Sequence, residues 1–302
     1  MLNFIQNNVQ KNNEQGQRDK SKWENFLRSY FEDVNYNDTD EVERIIDDEV
    51  LSDLKDLGKT GNTINKYMSV ITQMFKRAKD RGVVNVIPDT PTQRVIDTPR
   101  HPYENKELNL INRHCEELYN DKKNIFYLDS KDFFNLCRCA GFRPGLEVLN
   151  LKRKDFHYET DAKDSKYKIL RFDVWGTKTK PKHHPIANSF FTAKIFPEIL
   201  NRHKDKELTE DDYLLFPFEK NRNSLKNKTG KLFVDISKKL KLFYKDNGTR
   251  PLYSIRHTYA TELYKGGASI DDIAFLMNTS ERMVMNVYLG FSSQNLINVH
   301  KR

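Results

Sequence analysis

The chain has 302 residues and a mass of 35.7 kDa, a length that suits two domains better than one. Apolar residues make up 37% of the composition, and 19 Phe and 14 Tyr supply large side chains for a folded core. No run of about 18 apolar residues occurs, which excludes a membrane-spanning helix of ordinary length, and the polar N-terminus does not resemble a secretory signal. The three cysteines are too few for a disulfide framework and fit a reducing compartment.

The positive charge is concentrated in the later part of the chain. In total there are 51 Lys and Arg against 43 Asp and Glu. Residues 1–100 contain 15 basic and 17 acidic side chains, whereas residues 101–302 contain 36 and 26. A polyanionic partner is therefore expected to meet mainly the C-terminal two-thirds of the chain.

The first hundred residues predict a tail, a small helical bundle and a linker. Residues 1–19 are polar and rich in Asn and Gln, and we predict a polar tail there. Three segments with helical apolar spacing follow within 20–84: one from Lys22, one capped by Thr39 and one from about Thr63. Four of the ten prolines lie between residues 84 and 104, so the stretch 85–104 is predicted to be a linker.

Residues 105–302 predict a second, mainly helical domain with a small antiparallel sheet. Ser130 is expected to cap a helix that ends at Gly141. Residues 167–175 alternate and are rich in β-formers, and a basic turn and residues 184–187 complete a predicted hairpin. A helix is predicted over 232–243, and short helices over 258–288 with breaks at 266–267 and 278–279. The predicted fold class is therefore mainly α (α+β).

Several common catalytic and metal-binding patterns do not occur in this sequence. There is no P-loop, no G-x-G-x-x-G after a strand, no H-E-x-x-H and no paired C-x-x-C. His183 and His184 are adjacent on a predicted strand, which sends them to opposite faces, and we interpret both as surface residues. We therefore expect neither a metal site nor a nucleotide cofactor.

Three segments at helix breaks carry the remaining chemical information. Arg143 lies in the Gly/Pro-punctuated stretch Ala-Gly-Phe-Arg-Pro-Gly, before an apolar segment that begins at Leu146. Arg256 opens a well-packed helix in the stretch Tyr253-Ser-Ile-Arg-His-Thr-Tyr-Ala-Thr261. Met277-Asn-Thr-Ser280 breaks the chain before a segment that ends in Val-Tyr288-Leu-Gly.

At these places the sequence resembles the tyrosine recombinase (phage integrase) family. The family's first arginine follows a Gly-hydrophobic pair, as Arg143 does, and its second lies in an H-x-x-R-H-[ST]-[FY]-A-T stretch, which Arg256 matches. Its nucleophilic tyrosine stands nine residues after the histidine of an L-G-H-[ST] turn, and Tyr288 stands nine residues after Thr279. The family's lysine lies in a hairpin turn between the arginines, where Lys178 and Lys180 occur.

The sequence departs from the family pattern in three positions. Tyr253 replaces the histidine before the second arginine, and Thr279 replaces the later histidine or tryptophan. Glu147 follows Arg143 by four positions instead of the commoner three. Tyr253 and Thr279 could contact the phosphate as replacements or could simply pack, and His257 is expected to be a buried structural residue.

The resemblance implies a role for each matched residue. Tyr288 would attack the scissile phosphodiester, and a tyrosine hydroxyl with a pKa near ~10 needs a neighbour that accepts its proton. Arg143 and Arg256 would each donate two parallel hydrogen bonds to the phosphate oxygens. Lys178, or alternatively Lys180, would protonate the leaving 5′ oxygen. The product would be a 3′-phosphotyrosyl enzyme, formed without a metal or cofactor.

The resemblance also implies the biological setting. It predicts a site-specific recombinase that integrates or excises a phage or other mobile element, with residues 20–84 as the core-binding domain and 105–302 as the catalytic domain. The implied partners are double-stranded DNA with attachment-type sites, three further copies in a homotetramer, and an accessory directionality or DNA-bending protein. The implied location is the cytoplasm, at the nucleoid. A topoisomerase IB-like enzyme and a catalytically inactive DNA-binding relative are the alternatives.

Overall fold

The computed structural model describes residues 14–95, 101–160, 168–174, 183–246 and 248–285. The chain divides into two compact units, Met1–Asp97 and Thr98–Arg302. Each unit encloses its own buried apolar cluster. Lys178, Lys180 and Tyr288, which the sequence analysis assigned to chemistry, lie outside the described residues.

The described part of the N-terminal unit is built from helices with well-defined ends. Asp38 accepts a hydrogen bond from the Glu41 N–H and begins the second helical stretch, so the cap lies one residue before the predicted Thr39. Thr60 caps the longest helix, and Gly82, with φ of +71°, follows its end in the left-handed region. The elements are α1 (Glu14–Lys22), a π-helical turn (Trp23–Leu27), a 3₁₀ turn (Arg28–Phe31), α2 (Thr39–Arg44), a second π-helical turn (Ile45–Val50), α3 (Leu51–Asp56) and α4 (Gly61–Asp80).

The core of this unit comes from the apolar stripes seen in the sequence. The rings of Trp23 and Phe31 stack with centroids 5.8 Å apart, and Phe31 meets the Phe75 ring edge-on at 6.2 Å. These aromatic contacts join the first helical stretch to α4, and apolar burial stabilises the bundle. The buried side chains include Leu27, Val42, Ile46, Leu54, Ile64, Met68 and Ile71.

The first half of the predicted linker is attached to the N-terminal unit. The Asn65 side chain pairs with the Gln93 backbone through two hydrogen bonds of 2.8 and 2.7 Å. The hydroxyls of Thr72 and Thr90 lie 2.8 Å apart. Residues 85–93 therefore run along α4 in an extended form, which suits a proline-rich segment that cannot continue a helix.

The C-terminal unit is mainly helical around a phenylalanine-rich core. Phe134 contacts Phe233 edge-on at 5.1 Å, and Phe172 contacts Phe142 at 5.3 Å and Phe196 at 5.8 Å. These contacts bring most of the helices and the sheet together in one core, and the last three helices enclose a second, smaller cluster. The helices are α5 (Asn105–Lys122), α6 (Phe126–Cys139), α7 (Leu146–Leu149), α8 (Phe196–Arg202), α9 (Arg222–Lys239), α10 (Ser254–Lys265), α11 (Ile270–Leu276) and α12 (Glu281–Val284).

The predicted cap at Ser130 is wrong. Helix α6 begins at Phe126, and the Ser130 hydroxyl donates to the Phe126 carbonyl at 2.7 Å within the helix. A serine hydroxyl can bond to the carbonyl one turn earlier as readily as it can cap, so its position in the sequence does not separate the two. The breaks predicted near 266–267 and 278–279 agree with the ends of α10 and α11.

A small antiparallel sheet lies on one side of the helical core. Strand β1 (Phe156–Thr160) pairs with β2 (Lys168–Phe172), and the sequence analysis did not anticipate β1. Isolated bridges join Arg171 to Ile186 and Val174 to His183, so the chain returns beside β2 as the predicted hairpin requires. A shorter pair, β3 (Tyr244–Lys245) and β4 (Gly248–Thr249), precedes α10.

The observed fold class is mainly helical with a small antiparallel sheet, as the sequence predicts. Over the ranges that the structure describes, no helix combines the length and the apolar character needed to cross a membrane.

Candidate active site

The candidate site forms where the chain leaves α6. Gly141 has φ of +66°, and a Cβ at this position would fall well inside van der Waals distance of the Tyr259 ring on α10. Only glycine avoids both the steric cost of the left-handed region and this collision. The glycine thus brings the loop that carries Arg143 directly onto the helix that carries Arg256.

Arg143 is held by the start of α7 and by a distant turn. Its Nη1 donates to Glu147 Oε1 at 3.1 Å, and its backbone N–H donates to the other oxygen of the same carboxylate. Its Nη2 donates to the carbonyl of Asn278. The side chain remains 27% exposed, so the oriented guanidinium can still meet a ligand.

Arg256 is almost completely buried on the first turn of α10, with 2% of its surface exposed. Its Nη1 donates to the Gly141 carbonyl and its Nη2 to the Met277 carbonyl. A carbonyl satisfies an N–H group without carrying a formal negative charge. These two contacts therefore orient the guanidinium of Arg256.

The turn after α11 joins the two arginines. Arg143 donates to Asn278 and Arg256 to the preceding residue, Met277, so adjacent carbonyls hold both guanidiniums. Asn278 has φ of +45°, in the left-handed region that asparagine tolerates better than most residues. Thr279 follows directly, and its N–H donates to the Ala274 carbonyl at 2.9 Å. The structure thus brings Arg143, Arg256 and the Thr279 turn together.

The left-handed conformation of Asn278 also fits the alignment of this turn with the family's L-G-H-[ST] turn. In the L-G-H-[ST] pattern a glycine stands before the histidine, and glycine is the residue that enters the left-handed region at least cost. Asn278 takes this conformation immediately before Thr279. The backbone therefore supports the alignment of Thr279 with the family's histidine.

The helix that carries Arg256 is anchored to the segment before α5. The Thr258 hydroxyl accepts from the Tyr103 N–H at 2.8 Å and donates to the Tyr103 carbonyl at 3.1 Å. The Tyr103 hydroxyl donates to the Arg250 carbonyl at 2.6 Å, and the Arg250 guanidinium forms two hydrogen bonds with Glu107 at 2.8 and 2.9 Å. These buried contacts fix the position of the first turn of α10.

Tyr253 and His257 lie one turn apart beside Arg256. Their rings meet edge-on with centroids 5.6 Å apart. Tyr253 is partly buried at the start of α10, and His257 is buried, as expected of a structural residue. Tyr253 therefore lies next to the arginine that it precedes in the motif.

His183 belongs to this cluster, although the sequence analysis interpreted it as a surface residue. Its Nε2 lies 3.3 Å from Glu147 Oε1, and 11% of its side chain is exposed. Burial lowers the pKa of the imidazole, the Glu147 carboxylate opposes this shift, and Arg143 and Arg256 add to it. His184 points the other way, with Nδ1 2.6 Å from Asp173 Oδ1. Strand alternation predicts that one of the two histidines points inward, but gives no sign of Glu147 as its partner.

Acidic and sulfur ligands do not gather into a metal site in the described part of the chain, where no group of three or more His, Cys, Asp or Glu could hold an ion. Burial raises the pKa of the Cys115 thiol to about 12 and of the Cys139 thiol to about 11. Both thiols therefore stay protonated at neutral pH, which makes them poor nucleophiles and poor ligands.

The fold is the one found in tyrosine recombinases and integrases. The lambda integrase fragment solved as a dimer on a core site has a TM-score of 0.68 and 16% identity, over 95% of this chain and 95% of that one. The XerH site-specific recombinase bound to its difH substrate has a TM-score of 0.64 and 16% identity, over 91% of this chain and 76% of that one. The Tn1549 transposon integrase in complex with circular intermediate DNA has a TM-score of 0.61 and 17% identity, over 95% and 94%.

The sequence comparison leads to the same group. The chain is 27% identical to a tyrosine recombinase XerC-like protein of Caldanaerobacter subterraneus subsp. tengcongensis, over 76% of this chain. It spans 63% of the length of that relative. No protein-family model matches the chain. The resemblance to the tyrosine recombinases that the motifs indicate is confirmed by these likenesses in sequence and fold.

Proposed function

We propose that this protein is a site-specific tyrosine recombinase that cuts and rejoins duplex DNA through a 3′-phosphotyrosyl intermediate. The observation that carries the proposal is the meeting of Arg143 and Arg256 at the adjacent carbonyls of Met277 and Asn278. Two guanidiniums oriented by backbone carbonyls, and in Arg143 also by the Glu147 carboxylate, would form a receptor for a phosphodiester, whose negative charge grows in the transition state. Preorganised positive charge of this kind is usually the largest contribution to catalysis.

We assign the nucleophile to Tyr288. The support is its spacing of nine residues from Thr279, whose place in the family turn is favoured by the left-handed Asn278. The tyrosine hydroxyl gives its proton to a neighbouring acceptor as its oxygen attacks phosphorus, and the bond from phosphorus to the 5′ oxygen breaks. The phosphate keeps its bond to the 3′ oxygen of the DNA and is now bonded to Tyr288 as well. A 5′ hydroxyl from a second strand then attacks the phosphotyrosine, and the strands are rejoined without an external energy source.

We propose that Lys178 is the general acid that protonates the leaving 5′ oxygen, with Lys180 as the alternative. The described residues Val174 and His183 pair with each other on either side of the stretch that contains both lysines. His183 reaches the Arg143–Glu147 pair, so the paired strands lead to the arginine cluster. Tyr253 takes the position of a family histidine and Thr279 that of a histidine or tryptophan, and we propose that both contact the phosphate.

The hairpin lysines can be separated with a substrate whose leaving group needs no proton. Lys178→Ala should cleave normal DNA poorly and recover on DNA with a 5′-bridging phosphorothiolate, because the sulfur leaves as an anion. Lys180→Ala should show a smaller defect and little selective rescue. Single-turnover cleavage of both substrates measures the difference, and the opposite pattern would transfer the role of acid to Lys180.

The partners and the setting follow from the proposed reaction. Strand exchange requires double-stranded DNA with two attachment-type sites, and we propose a homotetramer on the paired sites with an accessory directionality or DNA-bending protein. The XerC-like relative is bacterial and one structural neighbour is a transposon integrase, which favour integration or excision of a mobile element in the bacterial cytoplasm at the nucleoid.

The proposal is tested by trapping the covalent intermediate. Duplexes selected from a random library for binding to the full chain are nicked at successive positions, so that cleavage releases a short strand and religation fails. The parental protein should form an adduct that survives denaturant, and peptide mapping should place the nucleotide on Tyr288. Tyr288→Phe should bind DNA normally and form no adduct, because only the attacking oxygen is removed.

The matched control is Tyr264→Phe, which removes a hydroxyl from the same unit and should leave adduct formation intact. An adduct that persists in Tyr288→Phe would move the nucleophile elsewhere. Binding without any adduct in the parental protein would favour the inactive DNA-binding relative. Relaxation of supercoiled DNA by a protein that never joins two sites would favour the topoisomerase IB-like alternative.

A further inference from the structure

The carboxylate of Glu147 connects two parts of the chain that meet only in the folded protein. One oxygen, Oε1, lies 3.1 Å from Nη1 of Arg143 and 3.3 Å from Nε2 of His183. The other oxygen accepts from the backbone N–H of Arg143. Glu147 therefore holds the arginine at two points and is itself in contact with the strand that pairs with Val174.

His183 suits the role of a neutral donor to this carboxylate. The charged and titratable groups that act on it are Glu147, which favours its protonated form, and Arg143, Arg256 and His184, which disfavour it. Because burial also disfavours the charged form, the pKa of His183 lies below its usual value and the ring is neutral at neutral pH. A neutral imidazole donates from one nitrogen only, and the nitrogen that faces Glu147 is Nε2.

The donor matters because Glu147 sets the plane of the Arg143 guanidinium. A carboxylate that is held by one arginine alone can rotate with it, whereas a third donor on another element fixes its plane. The family pattern expects a histidine at the position of Tyr253 and a histidine or tryptophan at that of Thr279. This chain instead contributes His183 to the cluster, from the segment that bridges to Val174.

We infer that His183 is a positioning residue for the cleavage reaction: it donates a hydrogen bond to Glu147 and thereby fixes the guanidinium plane of Arg143 toward the phosphate. The inference rests on the proposed function. Through Glu147, it also connects the segment at His183 to the first arginine.

The chain offers a matched control next to His183. His184 is the adjacent residue on the same strand, and it contacts Asp173 on the opposite face, away from the arginine cluster. A substitution at His184 disturbs the same segment of backbone without touching Glu147. The difference between the two positions therefore isolates the contact to Glu147 from any general effect on the strand.

Single-turnover cleavage of a selected suicide duplex tests the inference. His183→Leu should cleave about 10- to 100-fold more slowly than the parent, since small errors in the position of a catalytic group have costs of this size. His183→Gln should stay within about threefold, because the glutamine amide can donate from nearly the position of Nε2. His184→Gln should cleave at the parental rate, and DNA affinity should be unchanged in all three.

Two further measurements separate positioning from other roles. The cleavage defects of His183→Leu and Glu147→Gln should fail to multiply in the double variant, because both act through Arg143. A 5′-bridging phosphorothiolate should not rescue His183→Leu. The inference would be overturned if the phosphorothiolate rescued His183→Leu, if the two defects multiplied in the double variant, or if His183→Leu cleaved at the parental rate. None of these results would contradict the proposed function.

Failure of the proposed function has a different signature. If the parental protein formed no adduct, the proposed reaction and the positioning role in it would both be refuted. The burial of His183 in this cluster has a readout that needs no DNA. In the unfolded chain His183 takes up a proton near pH ~6.5, whereas in the folded chain its pKa is lower. Acidification from about pH 7.5 to 5.5 therefore favours the unfolded state, and it should lower the urea midpoint more in the parent than in His183→Gln. Equal shifts would show that His183 does not face the cluster in solution.

Discussion

The two arginines occupy different environments within one cluster. Arg256 is buried and its charge is oriented by backbone carbonyls, whereas Arg143 keeps an exposed edge and shares its charge with Glu147. Arg256 thus resembles a fixed part of the protein interior, and Arg143 is the more accessible of the two. Different partners orient the two guanidinium planes. Both planes must be oriented correctly if each arginine is to donate two hydrogen bonds to the same phosphate.

Replacement of either arginine by lysine keeps the charge and removes the planar fork. Arg143→Lys and Arg256→Lys should each slow single-turnover cleavage by about 10²–10³, the usual cost of a lost preorganised donor set. DNA affinity at fixed salt should stay within a few-fold of the parent, because long-range attraction depends on charge. Cleavage and filter binding on one duplex measure the two effects side by side.

Arg138→Lys is the control for this pair. Arg138 lies on α6 and donates to Asn109 and Asn105, outside the arginine cluster, so its replacement should leave cleavage at the parental rate. The double variant of Arg143 and Arg256 should show less than the product of the two single defects, since both act on one phosphate. A lysine variant that cleaves normally and binds weakly would identify that arginine as a DNA-positioning contact.

The loop between α6 and α7 depends on one close approach to α10. Gly141 adopts a left-handed conformation with its Cα hydrogens against the Tyr259 ring, and its carbonyl accepts from Arg256. The same residue therefore sets the packing of two elements and orients an arginine. Any side chain here has to displace the Tyr259 ring, the loop, or both.

Gly141→Ala should impair stability and cleavage together. The left-handed backbone costs about 1–2 kcal/mol for a residue with a Cβ, and overpacking against Tyr259 adds about 1–3 kcal/mol. We expect a loss of about 2–5 kcal/mol in the free energy of unfolding, with a cleavage defect larger than the unfolded fraction explains. Urea unfolding and single-turnover cleavage of the remaining folded protein measure the two losses.

Gly267→Ala supplies the comparison for Gly141. Gly267 has φ of +91° in the same unit, and a Cβ there would meet nothing within 4 Å. Its replacement should lose about 1 kcal/mol from the backbone conformation alone and should leave cleavage unchanged. Equal effects at the two glycines would mean that the contact with Tyr259 does not position the site.

Charge is distributed unequally over the molecule as a whole. Residues 1–100 have two more acidic than basic side chains, whereas residues 101–302 have ten more basic than acidic ones. Phosphate contacts should therefore come mainly from the C-terminal part, and binding should release counterions from the DNA. This sequence-independent attraction brings the duplex to the arginine cluster, and base contacts add specificity.

DNA affinity should consequently fall steeply with salt. For about six phosphate contacts, the affinity should decrease by about 10³ between about 50 and 200 mM salt. Fluorescence anisotropy on one selected duplex and on one scrambled duplex measures both slopes. If phosphate contacts give the affinity and base contacts the specificity, the two duplexes should show similar salt slopes and a constant difference in affinity. A slope near zero would contradict the proposal that the basic C-terminal part binds the DNA backbone.

Much of this organisation could be predicted from local sequence patterns. Apolar spacing predicted α4 within two residues, and the glycine and asparagine at 266–267 and 278 predicted the breaks between the last three helices. That Arg143 and Arg256 share a site was implied instead by the resemblance to the tyrosine recombinases, and the local motifs only supplied the two positions. Each signal lies within about ten residues of the feature that it predicts, because caps, turns and helical stripes are properties of a short segment.

The partners of the site residues could not be predicted in this way. Arg143 and Asn278 are 135 positions apart, and Arg256 and Gly141 are 115 positions apart. No local pattern distinguishes His183, which faces Glu147, from His184, which faces Asp173. Strand alternation decides only that two neighbours point in opposite directions. Which of them faces the arginines depends on how the segment of His183 lies against Glu147 on α7, and that arrangement is settled only when the whole core is assembled.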